Sequence, residues 1–405
     1  MSVNLEIPRR LEAFIDQAHQ VAVHVFRPIS RKYDTAEHTY PVELDMLASV
    51  MDGLTDSGAT GGAGARHLRS TKSDNGDKKV RNGGSMSTVL GFTELCWGDV
   101  GLALTIPRQG LGNAAIAAVA NEEQLQRFKG RWVAMAITEP EAGSDSANIH
   151  TTARLDGDHY VIDGEKIFIT AGERADAIVV WATLDKTLGR AAIKSFVVEK
   201  GTPGMELVRL DHKLGIRASD TATVRFTNCR VPKENLLGSP EINVQRGFAG
   251  VMQTFDNTRP LVAAMAVGVA RAAIERTREL LAEEGIAGDY KRSLFHVKAA
   301  EAELYRLEAE LEAARLLTLK AAWMADNGLP NSKEASMAKA KAGRVGNEVT
   351  LRCVELCAAA GYGQNELLEK WARDSKILDI FEGTQQIQLL IVARRLLGKT
   401  SDQLK

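Results

Sequence analysis

From residue 132 to residue 232 the apolar side chains stop recurring at helical spacing and begin to alternate, with β-branched residues in excess. A period of two would spread apolar groups around every side of a helix, so this block has to form a sheet. The runs at 133–138, 160–162, 167–170, 178–183, 195–198 and 223–226 are its expected strands. Asp156-Gly157 and Asp163-Gly164 read as hairpin turns. The flanks on both sides keep the helical repeat, which gives a mainly α chain with a central antiparallel β domain.

In residues 5–56, Leu11, Phe14, Ile15, Ala18, Ala22 and Val25 recur at helical spacing, with Pro28 and Pro41 as interruptions. Residues 57–87 carry seven glycines and almost no apolar residue beyond Leu68 and Val80, the composition of a mobile loop or lid. Its Gly61-Gly-Ala-Gly64 lacks the preceding strand and following Lys-Ser or Lys-Thr of a phosphate cradle. Helical patterning returns at 88–130, where Ala114 to Ala120 permit close packing. From 248 to 397 it fills long segments broken near 284–289, 327–331 and 361–363, the pattern of a four-helix bundle. Leu311, Leu316, Leu317, Ala340, Val345 and Leu351 are its candidate seam. The expected domains are 1–130, 131–240 and 241–405.

Fifty-one basic residues nearly cancel fifty-two acidic ones, so no overall field favours nucleic acid or an anionic membrane. The most apolar stretch, at 261–273, is too short and too rich in Ala and Gly to span a bilayer. Cys96, Cys229, Cys353 and Cys357 are too scattered for a disulfide framework, and with no signal peptide they suggest a reducing cytoplasm. Cys353 and Cys357 share a helix face without a nearby histidine and read as packing. No two of the eight histidines stand at metal-ligand spacing, so no metal site is expected, and no nucleophile elbow supports a serine hydrolase.

Three stretches carry chemistry. Met135-Ala-Ile-Thr-Glu-Pro-Glu-Ala-Gly-Ser-Asp145 is a strand entering a turn, where Thr138, Ser144 and the backbone offer donors. Phe168-Ile-Thr170 ends a strand with an aromatic that could wall a planar ring, although in a β domain such a residue more often serves the core. Near the C-terminus, Glu382 lies in helical context, Gly383 breaks it and Thr384 can cap a new helix, leaving a carboxylate on a bend. Such a group is either a surface Glu before a helix or, beneath a pocket, a general base.

The string Arg373-Asp-Ser-Lys-Ile-Leu-Asp-Ile-Phe-Glu-Gly-Thr-Gln-Gln-Ile-Gln resembles the C-terminal signature of acyl-CoA dehydrogenases, and the likeness extends from about residue 5 to the end. In that family the Glu before Gly-Thr removes the substrate α-proton, which makes Glu382 the implied catalytic base. Some relatives carry the base on the first long C-terminal helix instead, where Thr258 cannot serve. The Met135 turn resembles the family's flavin-binding turn, with Glu141 where a glycine is usual. Phe168-Ile-Thr170 is similar to the aromatic-x-Thr that lies against the flavin. The resemblance implies that Met135, Ile137, Thr138, Gly143, Ser144, Phe168, Ile169, Thr170, Thr384 and Gln386 bind FAD. It implies that Ser144, Asp256, Arg259, Glu382 and Gly383 bind an acyl-CoA. The segment around His212-Lys-Leu-Gly-Ile-Arg-Ala-Ser-Asp-Thr221 resembles a family strand connection and reads as structural. The reaction implied by the resemblance is α,β-dehydrogenation of an acyl-CoA thioester to the trans-2-enoyl-CoA in fatty acid metabolism, with an electron-transfer flavoprotein as acceptor.

Two departures bear on assembly. Family tetramers complete each FAD site with a neighbour's Arg-x-x-Phe pair and Gln-x-x-Gly-Gly turn; here the first position is read at Ala282-Glu-Glu-Gly-Ile-Ala-Gly-Asp-Tyr290 and the second at Glu355-Leu-Cys-Ala-Ala359. Loss of both alongside an intact self-contributed half points to an α2β2 tetramer in which a related subunit supplies the rest. Competing readings are an acyl-CoA oxidase of the same fold and a non-catalytic scaffolding subunit.

Overall fold

The computed structural model describes residues 3, 5–56, 82–107, 110–242, 249–400 and 403. The N-terminal helices are α1 (Arg9–Val21), α2 (Arg27–Thr35) and α3 (Glu43–Asp56). A five-residue π-helical stretch, Ala22–Phe26, joins α1 to α2 and brings Pro28 into the first turn of α2, where its missing N–H costs least. The expected mobile loop lies largely outside the described residues. Its last residues, however, are helical, because α4 (Gly84–Gly98) begins at Gly84. No local side chain caps that start. Asp326, at the far end of another helix, accepts from the N–H groups of Gly83 at 2.7 Å, Ser85 at 2.8 Å and Met86 at 3.0 Å.

After α5 (Val100–Ala103), α6 (Leu111–Val119) and α7 (Glu122–Arg127) come seven strands in one sheet. They are β1 (Val133–Ala136), β2 (Thr152–Asp156), β3 (His159–Thr170), β4 (Ala177–Thr183), β5 (Ile193–Glu199), β6 (Met205–Leu210) and β7 (Thr221–Pro232). The order is β1-β4-β2-β3-β7-β6, with β5 also on β4. Pairing is antiparallel as expected for β2–β3, β3–β7, β6–β7 and β4–β5, whereas β1 runs parallel to β4 and β2 touches β4 in parallel at Thr152. Asp156-Gly157 does form the β2–β3 turn, with Gly157 at φ 61°. Asp163-Gly164 does not turn the chain. It is a bulge within β3, and a Cβ on Gly164 would stand 2.4 Å from the Thr151 hydroxyl, so the two short strands expected there are one long strand.

The C-terminal helices are α8 (Ala249–Glu283), α9 (Ala299–Asp326), α10 (Ser332–Leu356), the short α11 (Ala358–Tyr362), α12 (Leu368–Ser375) and α13 (Gln385–Leu397). The apolar 261–273 stretch is buried along α8, where Gly268 lets α4 approach until a Cβ would be 2.3 Å from the Thr93 carbonyl. Of the candidate seam, Ala340 and Val345 are buried, while Leu316 and Leu351 are exposed. Among the described residues no helix is long and apolar enough to cross a membrane.

One connection holds sheet and bundle together. The segment 211–220 leaves β6, and Ile216 N–H donates to the Asp374 carboxylate on α12 at 2.5 Å. Gly215 lies so close to Arg373 that a Cβ would sit 2.4 Å from its carbonyl oxygen. Asp374 in turn shares the buried Lys370 ammonium with Asp99, while Arg373 pairs with Asp34 at 2.7 Å. The first residues of the Arg373 signature thus have a docking role.

Candidate active site

Glu382 occupies the bend between the short helical turn Lys376–Asp379 and α13, at φ 57°, with Gly383 next at φ 89°. A non-glycine residue in the left-handed region is held there by its surroundings. Lys339 Nζ on α10 donates to the Gly383 carbonyl at 2.7 Å. Gln388 Nε2 donates to the carbonyls of Glu382 at 3.0 Å and Gly383 at 3.1 Å. A side chain at 383 would meet Gln388 Nε2 at 2.5 Å. Thr384 caps α13 as expected, its hydroxyl accepting from Ile387 N–H at 3.4 Å.

From this bend the carboxyl reaches α8, where the Thr258 hydroxyl donates to Glu382 Oε2 at 2.7 Å. The residue keeps some solvent exposure, yet its carboxyl sits in a crowded position. Burial pushes its pKa above the ordinary carboxylate value, against the lowering by the Thr258 hydrogen bond, Arg259 and Lys339. Burial likewise lowers the Lys339 ammonium to about 8, partly offset by Asp379 and Glu382. Sequence reasoning treats Thr258 only as a residue unable to be a base and misses Lys339 and Gln388. A lone lysine among the small residues of Ser336-Met-Ala-Lys-Ala340 is the signal that marks the former.

The second half of the candidate site is built on β1 and β3. The Thr138 carbonyl accepts from Ile167 N–H at 2.9 Å, which ties the turn after β1 to the β3 bulge at 167–168. Phe168 stands on that bulge at φ 58° with 62% of its surface exposed. Below it, Lys166 is fully buried and pairs with Glu139 at 2.7 Å while also donating to the Ile137 carbonyl at 3.1 Å. Glu139 accepts from the N–H groups of His150 at 2.5 Å and Thr151 at 2.9 Å. Burial lowers Lys166 to about 8, with Glu139 opposing the shift.

Glu141 is outside the left-handed region, so replacing a glycine there carries no backbone strain. Gly143 and Ser144 are exposed, Thr138 and Thr170 partly so, and Gln386 lies on the outer surface of α13. Met135 and Ile137 are half-buried against the sheet's second core. Ile169 is fully buried in the sheet core, which leaves only its main chain for a ligand. Arg259 is buried on α8. Asp256 is in the same helix, with its side chain outside the described residues.

These groups fit a flavin. An aromatic ring held uncovered on a strained bulge offers an apolar wall, Thr138 and Thr170 set hydroxyls and main chain at the ends of β1 and β3, and Ser144 is exposed in the turn after β1.

The positions read for the neighbour's arginine and aromatic, 282–290, lie at the end of α8 and in the connection after it. The connection between α8 and α9 runs from 284 to 298 and also carries Arg292-Ser-Leu-Phe295. Phe295 is 95% exposed, and Arg292 pairs with Glu301 at 3.3 Å. The second departure lies at 355–359, across the end of α10 and the start of α11. Ala358, where the family turn has glycine, adopts φ 45°, a conformation that penalises a Cβ.

A family model of the acyl-CoA dehydrogenase middle domain matches residues 134–229, and one of the acyl-CoA dehydrogenase C-terminal domain matches residues 245–397. The short-chain specific acyl-CoA dehydrogenase of Clostridium acetobutylicum is 33% identical over 404 residues, covering 97% of this chain and all of that protein. Butyryl-CoA dehydrogenase from Megasphaera elsdenii superposes with a TM-score of 0.82 at 30% identity, over 98% of this chain and 100% of that one. A chain from a structural study of the electron transferring flavoprotein of Acidaminococcus fermentans gives 0.81 at 31% identity, with coverage of 98% and 100%. Family models spanning most of the sheet and bundle, with a full-length relative above 30% identity, place this chain in the acyl-CoA dehydrogenase family of FAD-dependent oxidoreductases.

Proposed function

We propose that this chain converts an acyl-CoA thioester to the trans-2-enoyl-CoA with Glu382 as the base. The observation that carries the assignment is the Glu382 carboxyl itself, presented from a strained bend, hydrogen-bonded to Thr258 and raised in pKa by burial. Bound FAD supplies the acceptor for the β-hydride, which no side chain can provide. The chain's own work is to take the α-proton onto the Glu382 carboxylate, to orient the thioester and to keep water away. A base with a raised pKa is better matched to a carbon acid than an ordinary carboxylate, provided it is still ionised at working pH.

Around that step, Phe168 serves as the apolar wall for the flavin ring, and Met135, Ile137, Thr138, Gly143, Ser144, Ile169 and Thr170 supply the turn and strand ends that hold it. Thr384 and Gln386 are assigned to the same cofactor from the start of α13. Ser144, Asp256, Arg259 and Gly383 line the path of the substrate. The Glu382 N–H is assigned to polarise the thioester carbonyl, so that the same bend presents both base and electrophilic donor. An electron-transfer flavoprotein is the proposed acceptor of the reducing equivalents. The relatives' names make butyryl-CoA the first substrate of an acyl-CoA panel.

The test is Glu382→Gln in the flavin-loaded protein. The amide can still accept from Thr258, so flavin and ligand binding are expected to persist. Bleaching of the flavin by acyl-CoA should fall by about 10³-fold or more. Bleaching at the unaltered rate removes Glu382 from the reaction.

A further inference from the structure

The turn between α2 and α3 meets the 211–220 segment at a group of side chains that the dehydrogenase reading does not use. Glu37 Oε2 and His212 Nδ1 are 2.9 Å apart, and the other oxygen of Glu37 accepts from Lys213 N–H at 2.9 Å. The His38 ring lies beside that of His212, tilted by 60° with ring centroids 4.8 Å apart. One donor atom from each of Glu37, His38 and His212 falls within 4.8 Å of the others, and among the described residues this is the one such group of three.

Two features separate this cluster from an ordinary surface ion pair. His38 adopts φ 68°, a left-handed conformation uncommon among non-glycine residues. Both of its ring nitrogens are shielded from solvent and have no hydrogen-bond partner. An imidazole with both nitrogens shielded and neither satisfied is an exception that asks for a missing partner. Two imidazoles and a carboxylate are the donor set that binds zinc-type ions, with a water completing the tetrahedron. Ligand atoms sharing such an ion stand about 3–3.5 Å apart, which small side-chain rotations reach from separations of at most 4.8 Å. The neighbouring Lys213 ammonium is engaged with the Ser219 carbonyl at 2.7 Å.

We propose that Glu37, His38 and His212 form a binding site for a zinc-type divalent cation, which staples the turn after α2 to the segment linking sheet and bundle. The residues come from positions 37, 38 and 212, so spacing along the chain gave no sign of the site. The proposal goes beyond the dehydrogenase assignment and does not depend on Glu382.

The experiment titrates the chelator-treated, flavin-loaded protein with zinc chloride, following bound metal by competition with a chromogenic chelator and thermal unfolding in parallel. The expected result is one zinc per chain and a rise in Tm. His212→Ala, at a side chain 83% exposed and therefore safe to fold, should weaken binding by at least about tenfold and abolish the Tm rise. His38→Asn, which keeps a residue tolerant of positive φ, should do the same, and His296→Ala should change neither. Absence of stoichiometric binding, or an affinity in both cluster variants equal to that of the unaltered protein, overturns the site.

Discussion

At residue scale the chemistry turns on how one carboxyl is held. Thr258 donates to the ionised form of Glu382, so the bond favours the charged base while burial opposes it. With Glu382 in the proposed role, activity requires that charged form and should be lost as pH falls through the raised pKa. Thr258→Val removes a lowering influence, so the acid limb of kcat/KM should move to higher pH with the high-pH plateau retained. A pH profile of dye-linked turnover checks this, and an unmoved limb would show that the hydroxyl does not govern the titration. Glu382 itself was legible in the sequence because Gly383 and Thr384 announce a bend and a helix start. Thr258, Lys339 and Gln388 were not, because what matters about them is which atoms they touch across three helices.

At the scale of elements, the β1 turn and the β3 bulge act as one unit. Glu139 fastens the backbone of 150 and 151, and Lys166 neutralises it from beneath Phe168. Lys166→Met strands a buried carboxylate, which should destabilise the protein by about 3–5 kcal/mol and loosen the turn that the flavin is assigned to. Denaturant unfolding measures the first effect and flavin retention on gel filtration the second. Pairing the change with Glu139→Gln should recover part of the loss. The strands β1, β3, β4, β5 and β7 were readable because they carry the apolar and β-branched residues that the sheet buries, β4 along its whole length. The strands β2 and β6 were not singled out, since their faces are largely exposed and carry few apolar residues. The Asp163-Gly164 signal failed for a related reason, as a glycine needed for close approach to Thr151 looks the same in sequence as one needed for a turn.

For the whole molecule the open question is which chains complete the flavin site. The α2β2 reading rests on residues 282–290 and on the 355–359 turn with its strained Ala358. Purifying this chain alone distinguishes the arrangements. One FAD per chain in a tetramer shows that it needs no related partner, whereas weak or half occupancy restored by a co-purified subunit supports the heteromer. The sequence alone determined the succession of helical, sheet and helical regions, because the repeat of apolar residues sets which local structure can bury them. It also determined the bend that carries Glu382, because glycine and a capping hydroxyl act within a few residues of where they stand. Only the tertiary structure decided that Asp326 caps α4, that 211–220 docks on α12, and that Glu37, His38 and His212 meet. Each of those depends on distances between residues far apart in the chain, and such distances are fixed by packing of the finished elements, which no local pattern encodes.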